Sequence, residues 1–169
     1  MKADERRNSI MEMLIREKKA IKGITLAESF NVTRQIIVKD IAILRAKGNN
    51  IIATPHGYMI NDDNSNRVKS VIAVRHNDED VIKELEIVVK YGGIIEDVIV
   101  EHPLYGEIKG ILMIKNLNDL NKFKNSLKQI NAKPLSILTN GVHLHTISAD
   151  SVENMELIKE ELKENGFIL

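Results

Sequence analysis

Residues 32–48 read VTRQIIVKDIAILRAKG, and this run decides the fold of the first part of the chain. Thr33 has the chemistry of a helix N-cap, because its hydroxyl accepts one of the backbone N–H groups that a first turn leaves orphaned. Behind it Ile37, Ile41 and Leu44 recur at i, i+4 and i+7, the apolar stripe of an α-helix. Gly48 stands where such a helix ends on a left-handed residue. The other face carries Arg34, Gln35, Val38, Lys39 and Arg45. Arg pairs bidentately with guanine and Gln with adenine, while a branched apolar residue meets the thymine methyl. Asp40 is the acidic exception on this helix, and its expected partner is a basic residue of its own domain.

Upstream, residues 5–18 place Ile10, Met13 and Leu14 on one stripe, so a first amphipathic helix is expected there, with Gly23 ending that region. Thr25-Leu26-Ala27-Glu28 has the pattern of a capping box that opens a brief second helix, interrupted at Asn31. A short helix, a tight turn and a longer helix make a helix-turn-helix, whose second helix enters the major groove. Downstream, residues 51–54, 55–57 and 58–60 read as strand, tight turn and strand. This is a wing. His56 belongs to its turn, where contact with the DNA backbone and simple turn filling are equally open. A three-helix bundle with a hairpin used for protein contacts is the alternative for the whole unit.

Charge supports a division of labour. The 169 residues sum to a net charge of zero, yet residues 1–60 hold 11 basic and 6 acidic side chains, and residues 61–169 hold 13 and 18. A basic module with a polyanionic partner joined to a more acidic module is the pattern expected. Residues 61–67, NDDNSNR, read as the linker between domains at 1–60 and 68–169. With no cysteine, a disulfide framework, a thiolate metal site and a cysteine nucleophile are excluded. No apolar run approaches the ~20 residues of a membrane span. The opening MKADERRNSI lacks the apolar core of a secretory signal, so a cytoplasmic location without membrane association is the expectation.

From residue 68 the pattern alternates. Strands are expected over 68–75, 94–101, 107–114 and 142–148, and helices from Asn77 or Asp78 to Lys90, over 117–130, and from a capping box of Asp150 and Glu153 to Gly166. Between the second and third of these strands, residues 102–106 (HPLYG) have hairpin-turn chemistry. The order β-α-β-β-α-β-α makes an α+β open-faced sandwich behind the winged helix-turn-helix. Four of the five histidines fall here: His76, His102, His143 and His145. His143 and His145 are i and i+2 on a strand, so their imidazoles share a face. With a third imidazole and a carboxylate they would make a nitrogen–oxygen site for a divalent metal. Glu84, two helical turns beyond His76, is the carboxylate within reach.

The run V-T-R-x-x-I-x-x-D-I-x-x-L-R-x-x-G followed by IIATPHGYMI resembles the winged helix-turn-helix of bacterial repressors related to the biotin-operon and deoxyribose-operon regulators. His76, the HPLYG turn and the GVHLHTI strand at 141–147 resemble the three signature positions of the three-histidine regulatory domain. Together, over residues 6–166, the chain resembles the NiaR family of niacin-responsive repressors. The resemblance implies a non-enzymatic, dimeric regulator of NAD biosynthesis or niacin salvage and uptake genes. It implies operator DNA as one partner and nicotinic acid as co-repressor. On the first domain the DNA-contacting residues would be Thr33, Arg34, Gln35, Val38, Lys39, Arg45 and His56. On the second, His76, Glu84, His143 and His145 would hold the metal, with His102 and Tyr105 at the effector. Nickel or zinc is the first expectation for the metal, with iron and manganese open on ligand chemistry. Two other readings remain: a regulator whose signal is the metal itself, and a metal-dependent hydrolase with an accessory DNA-binding domain. Against the hydrolase, the sequence lacks the H-E-x-x-H, G-x-S-x-G and phosphate-loop patterns.

Overall fold

In the first unit three helices precede a hairpin: α1 (Ala3–Glu17), α2 (Gly23–Ser29), α3 (Arg34–Ala46), β1 (Ile51–Thr54) and β2 (Gly57–Ile60). The computed structural model describes residues 2–61 and 66–169, so the expected linker lies largely outside the described residues. Thr33 caps α3 as expected, accepting the Ile36 N–H at 3.4 Å, and Gly48 follows the helix at φ +90°. Ile37, Ile41 and Leu44 are buried with Ile10 and Leu14 of α1 and Leu26 of α2. Each such side chain contributes roughly 1.5–3 kcal/mol by leaving water.

The second helix starts earlier than the capping-box pattern suggests. Its N-cap is Lys22, Gly23 is its first residue, and Thr25 lies inside it, where its carbonyl accepts the Ser29 hydroxyl. The cause is tertiary. Ile21 bridges antiparallel to Tyr58, exchanging hydrogen bonds of 2.8 and 2.9 Å, and this pins the chain in an extended conformation up to the residue before the helix. Gly57 permits the approach: its φ is +129°, and a Cβ there would stand 2.3 Å from the Ile21 carbonyl oxygen. The wing is therefore tied to the start of α2 through backbone.

The second unit runs β3 (Val68–Arg75), a 3-10 turn at Asp78–Asp80, α4 (Val81–Lys90), β4 (Ile94–His102), β5 (Gly106–Ile114), α5 (Leu117–Ile130), a 3-10 helix at Leu135–Thr139, β6 (Val142–Ala149) and α6 (Val152–Glu164). Its fold is α+β, with the expected element order. The strands are antiparallel in the order β3-β6-β4-β5, so the last strand in sequence is central in space. Ile72, Val74, Leu85, Ile95, Ile147 and Ile158 belong to the core between sheet and helices. A three-residue loop with Gly106 at φ +71° closes the β4–β5 hairpin.

One local expectation shifts, and one element was not expected. The cap of α6 is Ser151, which accepts the Asn154 N–H at 3.1 Å, because the neighbouring Asp150 is engaged by the Arg67 guanidinium. The 3-10 helix at Leu135–Thr139 carries no apolar period from which to read it. It is fixed by tertiary contact, with Leu135 lying against Gly110, where a Cβ would meet its Cδ1 at 3.3 Å.

Candidate metal centre and nucleic-acid interface

Three imidazoles converge on one carboxylate. His76 follows the last residue of β3, Glu84 lies in the first turn of α4, and His143 and His145 sit on β6 beside β3. All four are buried, and Glu84 is 1% exposed. His76 Nε2 stands 2.5 Å from Glu84 Oε2, His143 Nε2 is 3.5 Å from the same oxygen, and His145 Nε2 is 3.4 Å from Oε1. Ligand atoms of His76, Glu84 and His143 lie within 4.8 Å of one another.

The opposite ring nitrogens explain the orientation. His76 Nδ1 faces the Asn77 carbonyl at 2.7 Å, His143 Nδ1 the Gly141 carbonyl at 2.9 Å, and His145 Nδ1 the Asp97 carbonyl at 2.5 Å. A carbonyl oxygen only accepts, so each Nδ1 carries the proton and donates it. Each ring thereby turns Nε2 toward Glu84, the arrangement that metal-binding histidines adopt; without an ion, a contact as short as that of His76 Nε2 with Glu84 Oε2 is a hydrogen bond that needs a second proton on the ring. Oε2 takes the short contact from His76, while Oε1 has no hydrogen-bond partner. Burying a charge without a partner is costly, so the centre calls for a cation or for extra protons. The donor set of three imidazoles and one carboxylate fits a divalent transition metal.

Proton affinities show the same tension. Burial pushes His76 and His145 down, yet the Glu84 carboxylate outweighs it and holds both above the ordinary imidazole value. Burial likewise pushes Glu84 up, and the three imidazoles reverse this, leaving it well below the usual carboxylate range.

Gly141 is a part of the site that spacing did not single out. Its φ is +88°, and a Cβ there would lie 2.4 Å from the His76 carbonyl oxygen. The same glycine supplies the carbonyl that holds His143. Its absence of side chain lets the start of β6 lie against the backbone of His76.

Two clefts flank the centre. One, of about 530 Å³, is lined by His76, Asp78, Glu79, Asn140 and Gly141 among others. The second, of about 520 Å³, includes Ile99, Glu101, Gly106, Thr139, His143 and Leu144. His102 and Tyr105 are not among its lining residues; they stand in the hairpin turn, next to Glu101 and Gly106, which are. There His102 caps the turn, its Nδ1 accepting from Leu104 and Tyr105 N–H at 3.1 and 3.3 Å, with the Tyr105 ring 5.1 Å away.

On α3, Thr33, Arg34, Gln35, Val38, Lys39 and Arg45 are all exposed. Asp40 is buried instead: its two oxygens meet Arg6 Nε at 2.6 Å and Arg7 Nη1 at 3.1 Å, the pairing within the domain that the sequence reading expects. Arg34 lies back along α2, near Gly23, and with Lys22, His56 and Tyr58 it lines a cleft of about 300 Å³ between helix and wing. His56 is half-buried in the wing turn.

Residues 69–169 match the 3H domain and residues 6–59 an HTH domain. The chain is 47% identical to the "Probable transcription repressor NiaR" of Thermotoga maritima, over 98% of this chain and 94% of that protein. It belongs to the NiaR-type family of 3H-domain proteins. The "Transcription repressor NadR" of Bacillus subtilis is 34% identical, over 97% of this chain and 93% of the relative. An uncharacterized protein of Methanothermus fervidus is 35% identical over 60% of this chain and only 18% of its own length. Among the described residues, no helix is long and apolar enough to cross a membrane.

Proposed function

We propose that the chain is a cytoplasmic transcription repressor of genes for NAD biosynthesis or niacin salvage, acting as a homodimer on operator DNA with nicotinic acid as co-repressor and a divalent metal in the 3H domain. The observation that carries this reading is the buried Glu84 facing the Nε2 atoms of three imidazoles in a chain whose other unit exposes a recognition helix. The repressors it resembles over nearly its full length favour a regulator over a hydrolase.

His76, Glu84, His143 and His145 would hold the metal, nickel or zinc first. The bound ion would supply a positive charge for the carboxylate of the effector. That charge matters because the two flanking clefts are lined by Asp78, Glu79, Glu101 and Glu107, which disfavour an anion by themselves. His102 and Tyr105 would border the effector from the hairpin. Gln35, Val38, Lys39 and Arg45 would face the major groove, with Thr33 at its edge, while Arg34 and His56 would meet DNA beside the wing. A dimer would place its two recognition helices about one turn of DNA apart, ~34 Å.

The test is reciprocity. If nicotinate tightens operator binding, operator DNA must tighten nicotinate binding by the same factor. Titrations with and without operator, in metal-loaded and chelator-treated protein, should show that coupling. Identical nicotinate affinities in both arms refute the co-repressor role, and operator binding that follows metal alone makes the metal the signal.

A further inference from the structure

Next to the metal centre, β4 is irregular on both sides. Against β6 its register passes from Ile95↔Ile147 to Ile99↔Leu144, so residues 96–98 face only His145 and Thr146. Against β5 it passes from Ile95↔Ile114 to Asp97↔Ile111, and Met113 in the extra stretch of β5 takes φ +50°. Asp97 lies at the interruption and is 4% exposed. Each of its oxygens has a task. Oδ1 accepts the Thr146 N–H at 2.9 Å, where the ladder between β4 and β6 is broken. Oδ2 lies 3.3 Å from Lys109 Nζ on β5. The backbone carbonyl receives His145 Nδ1–H.

We infer that Asp97 is a positioning residue for the metal centre: its carboxylate holds the β4 irregularity in the register that turns its own carbonyl onto His145, fixing that ring with Nε2 toward Glu84. An extra residue in a strand re-aims what the strand presents, and here the thing presented is a carbonyl. Of the three carbonyls that hold an imidazole, those of Asn77 and Gly141 lie one and two residues from their histidine. Asp97 is 48 residues from His145, so only the pairing of β4 with β6 brings it there. A hydrogen bond at Nδ1 sets the tautomer and raises ligand basicity, and its loss typically weakens metal binding ~10–100-fold. A carboxylate that only filled a gap in the ladder would leave metal affinity untouched.

The inference rests on the metal reading above, and its test separates the two. Full-length wild type, Asp97→Ala and Asp97→Asn are titrated with Co²⁺, whose visible bands report coordination by nitrogen and oxygen. Asp97→Ala should bind Co²⁺ ~10–100-fold more weakly. Asp97→Asn keeps an oxygen acceptor for Thr146 and should stay within about threefold of wild type. Wild type that takes up no Co²⁺ defeats the metal reading itself. Wild type that binds while Asp97→Ala binds equally well overturns the role of Asp97. Should Asp97→Ala fail to fold, long-range ¹H–¹⁵N spectra of the Zn²⁺-loaded wild type decide: His145 must appear as the Nδ1–H tautomer in slow exchange with solvent, and an Nε2–H tautomer refutes the inference.

Discussion

Two buried carboxylates, one in each unit, are handled in opposite ways. Asp40 is closed off: two guanidiniums, which keep their charge at any physiological pH, take its two oxygens, and the recognition helix is thereby locked to α1. Glu84 is left open. Its neighbours are imidazoles whose Nδ1 atoms are taken by backbone carbonyls and whose Nε2 atoms can carry a proton or a metal, and Oε1 has no hydrogen-bond partner. A buried charge paired with permanent cations serves the scaffold, whereas one faced by imidazole nitrogens marks a place for something else.

The largest effect should come from neutralising the open carboxylate. Glu84→Gln should weaken Ni²⁺ or Zn²⁺ binding by at least the ~100-fold upper end seen for outer partners of metal ligands. It should also cost the metal-free protein some stability, since the imidazoles hold Glu84 well below the usual carboxylate range and the fold therefore favours its ionised form. Calorimetric titration and urea unfolding measure both, and undiminished metal affinity breaks the contrast between the two carboxylates. Neutralising the closed one should leave metal affinity unchanged. Asp40→Asn takes the counter-charge from the largely buried Arg6 guanidinium and leaves Arg7 only the exposed Asp4, and should cost the first unit about 3 kcal/mol. Hydrogen exchange would locate that loss: amides of α3 should open far more often, those of β6 no more than before. Equal protection across α3 in wild type and variant would show that the lock does not hold the helix.

A smaller effect belongs to the residues proposed to face DNA. Gln35→Ala should cost ~1–3 kcal/mol on the preferred operator and relax base preference at one position. Arg34→Ala should weaken all sequences alike and flatten the salt dependence, because this side chain lies back toward the wing. Base-selective loss from Arg34→Ala would return it to the groove.

The smallest is a pH effect on the metal-free 3H domain. His76 and His145 are held above the ordinary imidazole value, so the stability they contribute is fully present at lower pH and is lost as pH rises through their raised values. Glu84 is depressed, so its contribution is present above the ordinary carboxylate range and disappears as pH falls through its lowered value. Unfolding midpoints should therefore decline above neutrality, and bound metal, which requires the unprotonated Nε2, should remove that decline. The first unit should not share it, as Asp40 faces only guanidiniums. A flat alkaline profile for the metal-free domain contradicts the proposed coupling.

Much of this was legible in the sequence because it is periodic or local. The stripe of Ile37, Ile41 and Leu44, the Thr33 cap and the shared face of His143 and His145 follow from spacing alone. Local chemistry misled where tertiary contact overrode it: the Ile21–Tyr58 bridge moved the start of α2, and Arg67 drew Asp150 away from the α6 cap. Asp97 and Gly141 were not legible as parts of the site. One acts through a strand register and the other through a missing side chain against a distant backbone. Neither leaves a spacing signal.

The position of β6 bears on how the centre is made during synthesis. His76 and Glu84 are eight residues apart, while the other two imidazoles arrive about sixty residues later, on a strand that slots between two already made. An emerging chain therefore holds half a grip until β6 leaves the ribosome, and closing so long a loop is slow. On the proposed metal reading, cation uptake would be a receipt for completed folding, issued only to molecules whose last strand has found its gap.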